Sequence, residues 1–167
     1  MAILDILIYP EQALKQVSEE VTNFDAEFRQ FVADLDETRL NAPGCVGIAA
    51  PQVGCFQRVA IVDVSGNPKH KSNGLMILVN PEIVSWDGFV KGREGCLSVP
   101  DYTGNVMRAE KITLEAQDPD GNTQQYQCEG FEARAVQHEI DHLDGLLFLD
   151  RLVSRRKDLF QRKVYKK

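Results

Sequence analysis

The sequence predicts an α+β fold: a single domain of short, mostly antiparallel strands around a central helix, with a C-terminal helix. Three observations predict it. Apolar residues recur at helical spacing over residues 24–38, and helix formers fill residues 131–144. Between them lie β-rich runs set off by Gly, Pro, Asn and Asp. The resulting order of helix, strands, helix, helix has no regular βαβ alternation.

Each element has its own signal. Phe24, Phe28, Phe31, Val32 and Leu35 fall on one helical face, with Asn23 as N-cap. Residues 41–54, NAPGCVGIAAPQVG, are punctuated by Gly and Pro and read as a loop or tight strand. Residues 58–64, RVAIVDV, alternate and are rich in β-branched side chains, as a strand requires. Residues 76–84 read as another strand, bent or at an edge because Pro81 has no N–H to donate. Residues 111–117 and 123–127 flank Asp118-Pro119-Asp120-Gly121-Asn122, turn chemistry that predicts a β-hairpin. The helix over 131–144 is followed by Gly145, suited to the position after a helix end. A last helix is predicted from about Ser154, as N-cap, to near the end. His70 is expected in an exposed loop and Trp86 in packing.

At 167 residues the chain suits one domain, 1–167. Hydrophobic residues are 43% and charged residues 26%, which argues against global disorder. The longest apolar runs, such as 75–79, fall far short of the roughly 20 residues that span a bilayer, so no membrane role is expected. No phosphate-cradling or dinucleotide-binding fingerprint is present. Residues 1–14 lack the basic start of a secretory signal. This predicts a cytoplasmic protein, or an organellar one whose targeting segment has been removed. Cys45, Cys55, Cys96 and Cys128 are then expected as reduced thiols or metal ligands. The net charge of −6 is uneven: residues 151–167 carry +7 and residues 1–150 carry −13. Contact with a polyanion is therefore expected only through the tail, and DNA binding is not expected.

The chemistry concentrates in His138-Glu139-Ile140-Asp141-His142. Residues four apart share a helix face, so both imidazoles reach one metal ion. Glu139 lies about 100° around the axis, beside that ion without ligating it, where a general base belongs. A catalytic centre of this kind needs a third protein ligand and one open position. Cysteine is a strong candidate, and spacing alone does not choose among the four.

Three separated segments resemble the peptide deformylase family. Val46-Gly47-Ile48-Ala49-Ala50-Pro51-Gln52 is similar to the end of its GxGxAAPQ motif. Glu94-Gly95-Cys96-Leu97-Ser98 resembles its EGCLS motif, and Gln137-His138-Glu139-Ile140-Asp141-His142 its QHExDH motif. Ile8-Tyr9-Pro10 and Leu14 also resemble the family's opening, so the resemblance covers essentially the whole chain. It implies that Cys96, His138 and His142 hold one divalent metal, natively Fe²⁺, with Zn²⁺, Ni²⁺ or Co²⁺ also accepted. It implies Glu139 as general base and then proton donor, and the Gln52 amide and Leu97 backbone N–H as oxyanion hole. Val46, Gly47, Glu94, Gly95 and Phe131 are expected along the substrate cleft, Val46 and Phe131 at the methionine side chain. The implied substrate is the N-formyl group on the initiator methionine of nascent chains, and the basic C-terminal helix implies docking on the ribosome.

One residue departs from the motif: Cys45 stands where the family usually has glycine. A positive φ there would cost about 1–2 kcal/mol. Two other readings fit the same residues: a related hydrolase acting on a different acyl group, and a non-catalytic ribosome-binding module with a structural metal.

Overall fold

The computed structural model describes residues 2–154 and 156–162. The first helix, α1, is Ala26–Asn41, capped by Asp25, whose side chain accepts from the Phe28 N–H. It starts two residues later than its Phe stripe because Asp25, not Asn23, supplies the capping oxygen. The strands are β1 (Gly47–Ala49), β2 (Val59–Val62), β3 (Met76–Cys96), β4 (Val99–Gln117), β5 (Thr123–Glu129) and β6 (Leu159–Gln161). They form one antiparallel sheet in the order β1-β2-β3-β4-β5, with β6 beside β4. The second helix, α2, is Gly130–Leu143, and Gly145 follows it at φ 77°.

The two helices take opposite faces of the β1–β3 half of the sheet. Phe28, Val32 and Leu35 of α1 pack with Ile48, Val59, Ile61 and Val79. Val136 and Ile140 of α2 pack with Val62, Met76, Leu78 and Leu114. All four residues of β2 are buried, so it is a doubly covered strand despite its antiparallel partners. Each fully buried aliphatic side chain in these layers contributes about 1.5–3 kcal/mol. Gln137 locks α2 to β4, accepting from the Ala109 N–H at 3.0 Å and donating to the Ala109 carbonyl at 2.9 Å.

The bend expected at Pro81 is present: the β3–β4 register shifts between Val79 and Glu82, where Asn80 adopts φ 50° and its side chain ties Val21 to Gln117, although the strand continues beyond it. Three expectations need correction. The strands are not all short: β3 has 21 residues and β4 has 19. Trp86 is 63% exposed on the outside of the sheet rather than packed. The C-terminal helix is absent from the described part of its span. Ser154 does accept from the Lys157 N–H, and the Asp158 N–H reaches the Ser154 carbonyl, but the turn stops there. The Asp158 carbonyl accepts from Asn105, and Leu159–Gln161 pairs with β4. The open edge beside Tyr102–Gly104 thus outcompetes local helix propensity. Residues 155 and 163–167 of that predicted helix lie outside the described residues.

Candidate active site

The β3–β4 hairpin turns at Leu97-Ser98, and the site forms where the end of β3 meets α2. Cys96 ends β3, while His138 and His142 lie one turn apart on α2. All three side chains are buried, and one ligand atom from each lies within 4.8 Å of the others. Cys96 Sγ is 3.3 Å from His142 Nε2. Phe148 covers the far side, its ring stacked 6.3 Å from that of His138. A soft thiolate and two imidazoles suit Fe²⁺ or Zn²⁺. Among the described residues the cluster has three donors, not the four of a closed structural site.

Glu139 is 5% exposed, and its Oε1 has no hydrogen-bond partner among the described residues. A buried, unpaired carboxylate oxygen costs free energy, which a structural role does not explain. Burial pushes its pKa up to about 7, more than the neighbouring His138 pulls it down. Gly47 makes room for it: a Cβ built there would sit 2.7 Å from Glu139 Oε2. His142 is held well below its usual pKa by burial and then by His138, which leaves its ring neutral, the form that ligates.

Gln52 is 1% exposed, within the 3₁₀ turn Ala50–Val53 that follows β1. Its Oε1 accepts from the Ala49 N–H at 2.9 Å, which fixes the amide. Its Nε2 therefore faces the hairpin turn, donating to Ser98 Oγ at 3.1 Å and lying 3.6 Å from Cys96 Sγ. Cys45 causes no strain. Among the described residues Asn80 is the one non-glycine with positive φ, and the Cys45 thiol donates to the Gly47 carbonyl at 3.1 Å. Burial, then Glu139, pushes that thiol up to about 11.

Val46, Gly47, Gln52, Glu94, Gly95, Cys96, Leu97, Phe131, His138 and Glu139 all border one cavity of about 430 Å³. Glu94, however, does not offer itself to a substrate. Its Oε1 is 2.8 Å from His138 Nδ1 and 2.9 Å from Arg108 Nη2. Its Oε2 accepts from Arg108 Nε and Arg134 Nη1, both at 2.8 Å. Burial would raise its pKa, but Arg108 and His138 hold it well below the usual carboxylate range.

Sequence reasoning missed the rest of this network. Arg108 also donates to Asp141 at 2.6 Å, and Asp141 in turn holds Arg151. Asp141 lay inside the HEIDH segment, but nothing in the sequence links it to Arg108. His70 was also missed: its ring stacks on Phe131, centroids 4.5 Å apart.

A sequence profile of the family described as polypeptide deformylase matches residues 3–158. A protein named peptide deformylase from Thermodesulfovibrio yellowstonii is 39% identical over 163 residues, covering 98% of this chain and 97% of that protein. One from Alkalilimnicola ehrlichii is 42% identical over 166 residues, covering 99% and 91%. The crystal structure of a peptide deformylase from Legionella pneumophila superposes with a TM-score of 0.85 at 40% identity, covering 93% of this chain and 89% of that one.

Proposed function

The chain belongs to the polypeptide deformylase family, whose members are metal-dependent hydrolases that remove the N-formyl group from nascent polypeptides, and from that premise we propose what each site residue does. Cys96, His138 and His142 hold one divalent metal, and the whole chain, 1–167, is one catalytic domain. The observation that carries the reading is the unpartnered Oε1 of Glu139, buried beside three convergent ligand atoms. When bound, the ion supplies a Lewis acid that activates water and polarises the formyl carbonyl. Fe²⁺ is the native ion in this reading, and Zn²⁺, Ni²⁺ or Co²⁺ fits the same donors.

The chain's own groups do the rest. Glu139 takes a proton from the attacking water and returns it to the leaving amine. A carboxyl poised near neutral pH serves both transfers. The Gln52 Nε2 and the Leu97 N–H donate to the developing oxyanion, each such donor being worth about 2.7–4 kcal/mol. Ala49 holds the Gln52 amide in the donating orientation before substrate arrives. Glu94 is a positioning residue that fixes the His138 ring through Nδ1, with Arg108 and Arg134 fixing Glu94 in turn. A cramped site accepts a formyl hydrogen and excludes an acetyl methyl by overpacking. Val46 and Phe131 receive the methionine side chain, with Gly95 along the peptide.

No helix among the described residues is long and apolar enough to cross a membrane. We place the enzyme in the cytoplasm, acting near the ribosome. Exposed Arg156 and Lys157 of the basic tail offer a salt-dependent contact to it.

The test is formate release from a formyl-Met peptide by protein prepared without oxygen and loaded separately with Fe²⁺, Ni²⁺ and Zn²⁺. Metal-dependent release, absent with the acetyl-Met peptide, is expected. Equal release from both peptides, or none with any metal in folded, loaded protein, would overturn the reading.

A further inference from the structure

Two side chains at the rim of the cavity are unused by deformylation: Arg93 and Arg162. Both are exposed, and neither has a carboxylate within 4.0 Å among the described residues. Arg134, the third arginine at the cavity, is engaged by Glu94 and by the carbonyls of Val90 and Val106. Residues 1–150 carry −13, so two unpaired guanidinium groups at the mouth are a local exception to the field of the body.

The fold builds this pair. β6 pairs Gln161, Phe160 and Leu159 with Tyr102, Thr103 and Gly104, and the Arg162 N–H extends the ladder to the Asp101 carbonyl at 2.8 Å. The end of β6 thereby lays Arg162 against bare Gly95, where a Cβ would lie 2.7 Å from Nη2. Arg93, two residues before Gly95, is held in place by three contacts. Its guanidinium carbon lies 3.7 Å over the Phe160 ring, Nε donates to Asn105 at 3.2 Å and Nη1 to Thr103 at 3.3 Å. The strand that replaces the expected helix thus brings two cations to the Arg93–Gly95 stretch at the cavity rim, next to Cys96.

We propose that Arg93 and Arg162 form a carboxylate subsite for the peptide downstream of the formylated methionine, so that formyl peptides carrying an early acidic group are favoured. The proposal rests on the deformylase reading above. A planar guanidinium matches a carboxylate in geometry as well as charge. Because both groups are exposed, the gain is modest, about 2- to 5-fold. The carboxylate has two sources: an acidic side chain at the second or third residue, or the free C-terminus of a very short peptide.

The test compares kcat/KM for formyl-Met-Ala-Glu-amide with its Gln counterpart, formyl-Met-Glu-Ala-amide with its Gln counterpart, and formyl-Met-Ala-Gln as free acid and as amide. At least one carboxylate-bearing member is expected to be preferred about 2- to 5-fold, chiefly through KM. The arm that shows it identifies the source. The preference is expected to fall to parity in Arg162→Met, to persist in Arg162→Lys, and to vanish in the wild type near 0.5 M salt, where the screening length is only about 4–5 Å. The salt arm stands even if Arg162→Met does not fold. Parity in every pair, or a preference that survives Arg93→Met/Arg162→Met, overturns the proposal. Calorimetric binding of unformylated Met-Ala-Glu-amide and Met-Ala-Gln-amide separates the two readings. Release without charge discrimination sinks the subsite and leaves the deformylase. Discriminating binding without release keeps the subsite and sinks the reaction.

Discussion

Gly47→Ala adds one methyl group where β1 faces Glu139 of α2. The new Cβ would lie 2.7 Å from Glu139 Oε2 and 3.1 Å from both Cδ and Cγ. Ordinary contact begins at 3.4 Å, so carboxylate and strand must separate by at least about 0.7 Å. β1 cannot retreat freely, because it is paired to β2 through Gly47↔Val62, Ile48↔Ile61 and Ala49↔Ala60, and Ile48 and Ala49 are fully buried. Glu139 therefore moves. Displacing a reacting group by close to 1 Å costs about 100-fold in rate. Overpacking of this size costs about 1–3 kcal/mol of stability, a fall in Tm of about 2–12 °C. The assay is kcat/KM for formate release beside metal content and thermal melting. The expected variant is folded, holds wild-type metal and is slowed about 100-fold. A folded variant within about 2-fold of wild type would refute the claim that Gly47 sets the position of Glu139.

Three further outcomes follow from the same geometry. Glu94→Gln removes the charge that fixes His138, and metal affinity measured by competitive chelation should weaken about 10- to 100-fold; wild-type affinity would contradict the positioning role. Metal added to chelated protein at about 100 times its Kd should stabilise it by about 2.7 kcal/mol in urea unfolding, and an unmoved transition would count against Cys96, His138 and His142 as a ligand set. The Cys128 thiol is pushed from 9.0 up to about 12 by burial and then by Glu132. Its contribution is therefore whole below pH 9.0 and lost as pH rises toward 12, the loss being about 1 kcal/mol by pH 10. Cys128→Ala should flatten the alkaline fall in stability, and equal slopes would show that another group causes it.

Much of the site was legible because its information is local. The spacing of His138 and His142 specifies a shared helix face whatever the surrounding fold, and Asp118-Pro119-Asp120-Gly121-Asn122 closes its hairpin through its own hydrogen bonds. What the sequence hid depends on partners far away in the chain. Glu94 read as a cleft residue because its engagement by Arg108, Arg134 and His138 exists only once β3, β4 and α2 meet. The tail read as helix because Ser154 starts a turn, and only the free edge beside Tyr102–Gly104 turns it into a strand. Trp86 read as packing because a lone large aromatic usually is, yet it sits on a face of β3 that no helix covers.

The central claim is that Glu139 is the base that activates water beside a metal held by Cys96, His138 and His142. Glu139→Gln keeps the size of the side chain and removes its basicity. The most direct measurement is formate release by this variant and the wild type, each at matched metal content. The variant is expected to retain one metal ion and to lose about 10²- to 10⁴-fold in kcat. Wild-type turnover in the metal-loaded variant would contradict the account.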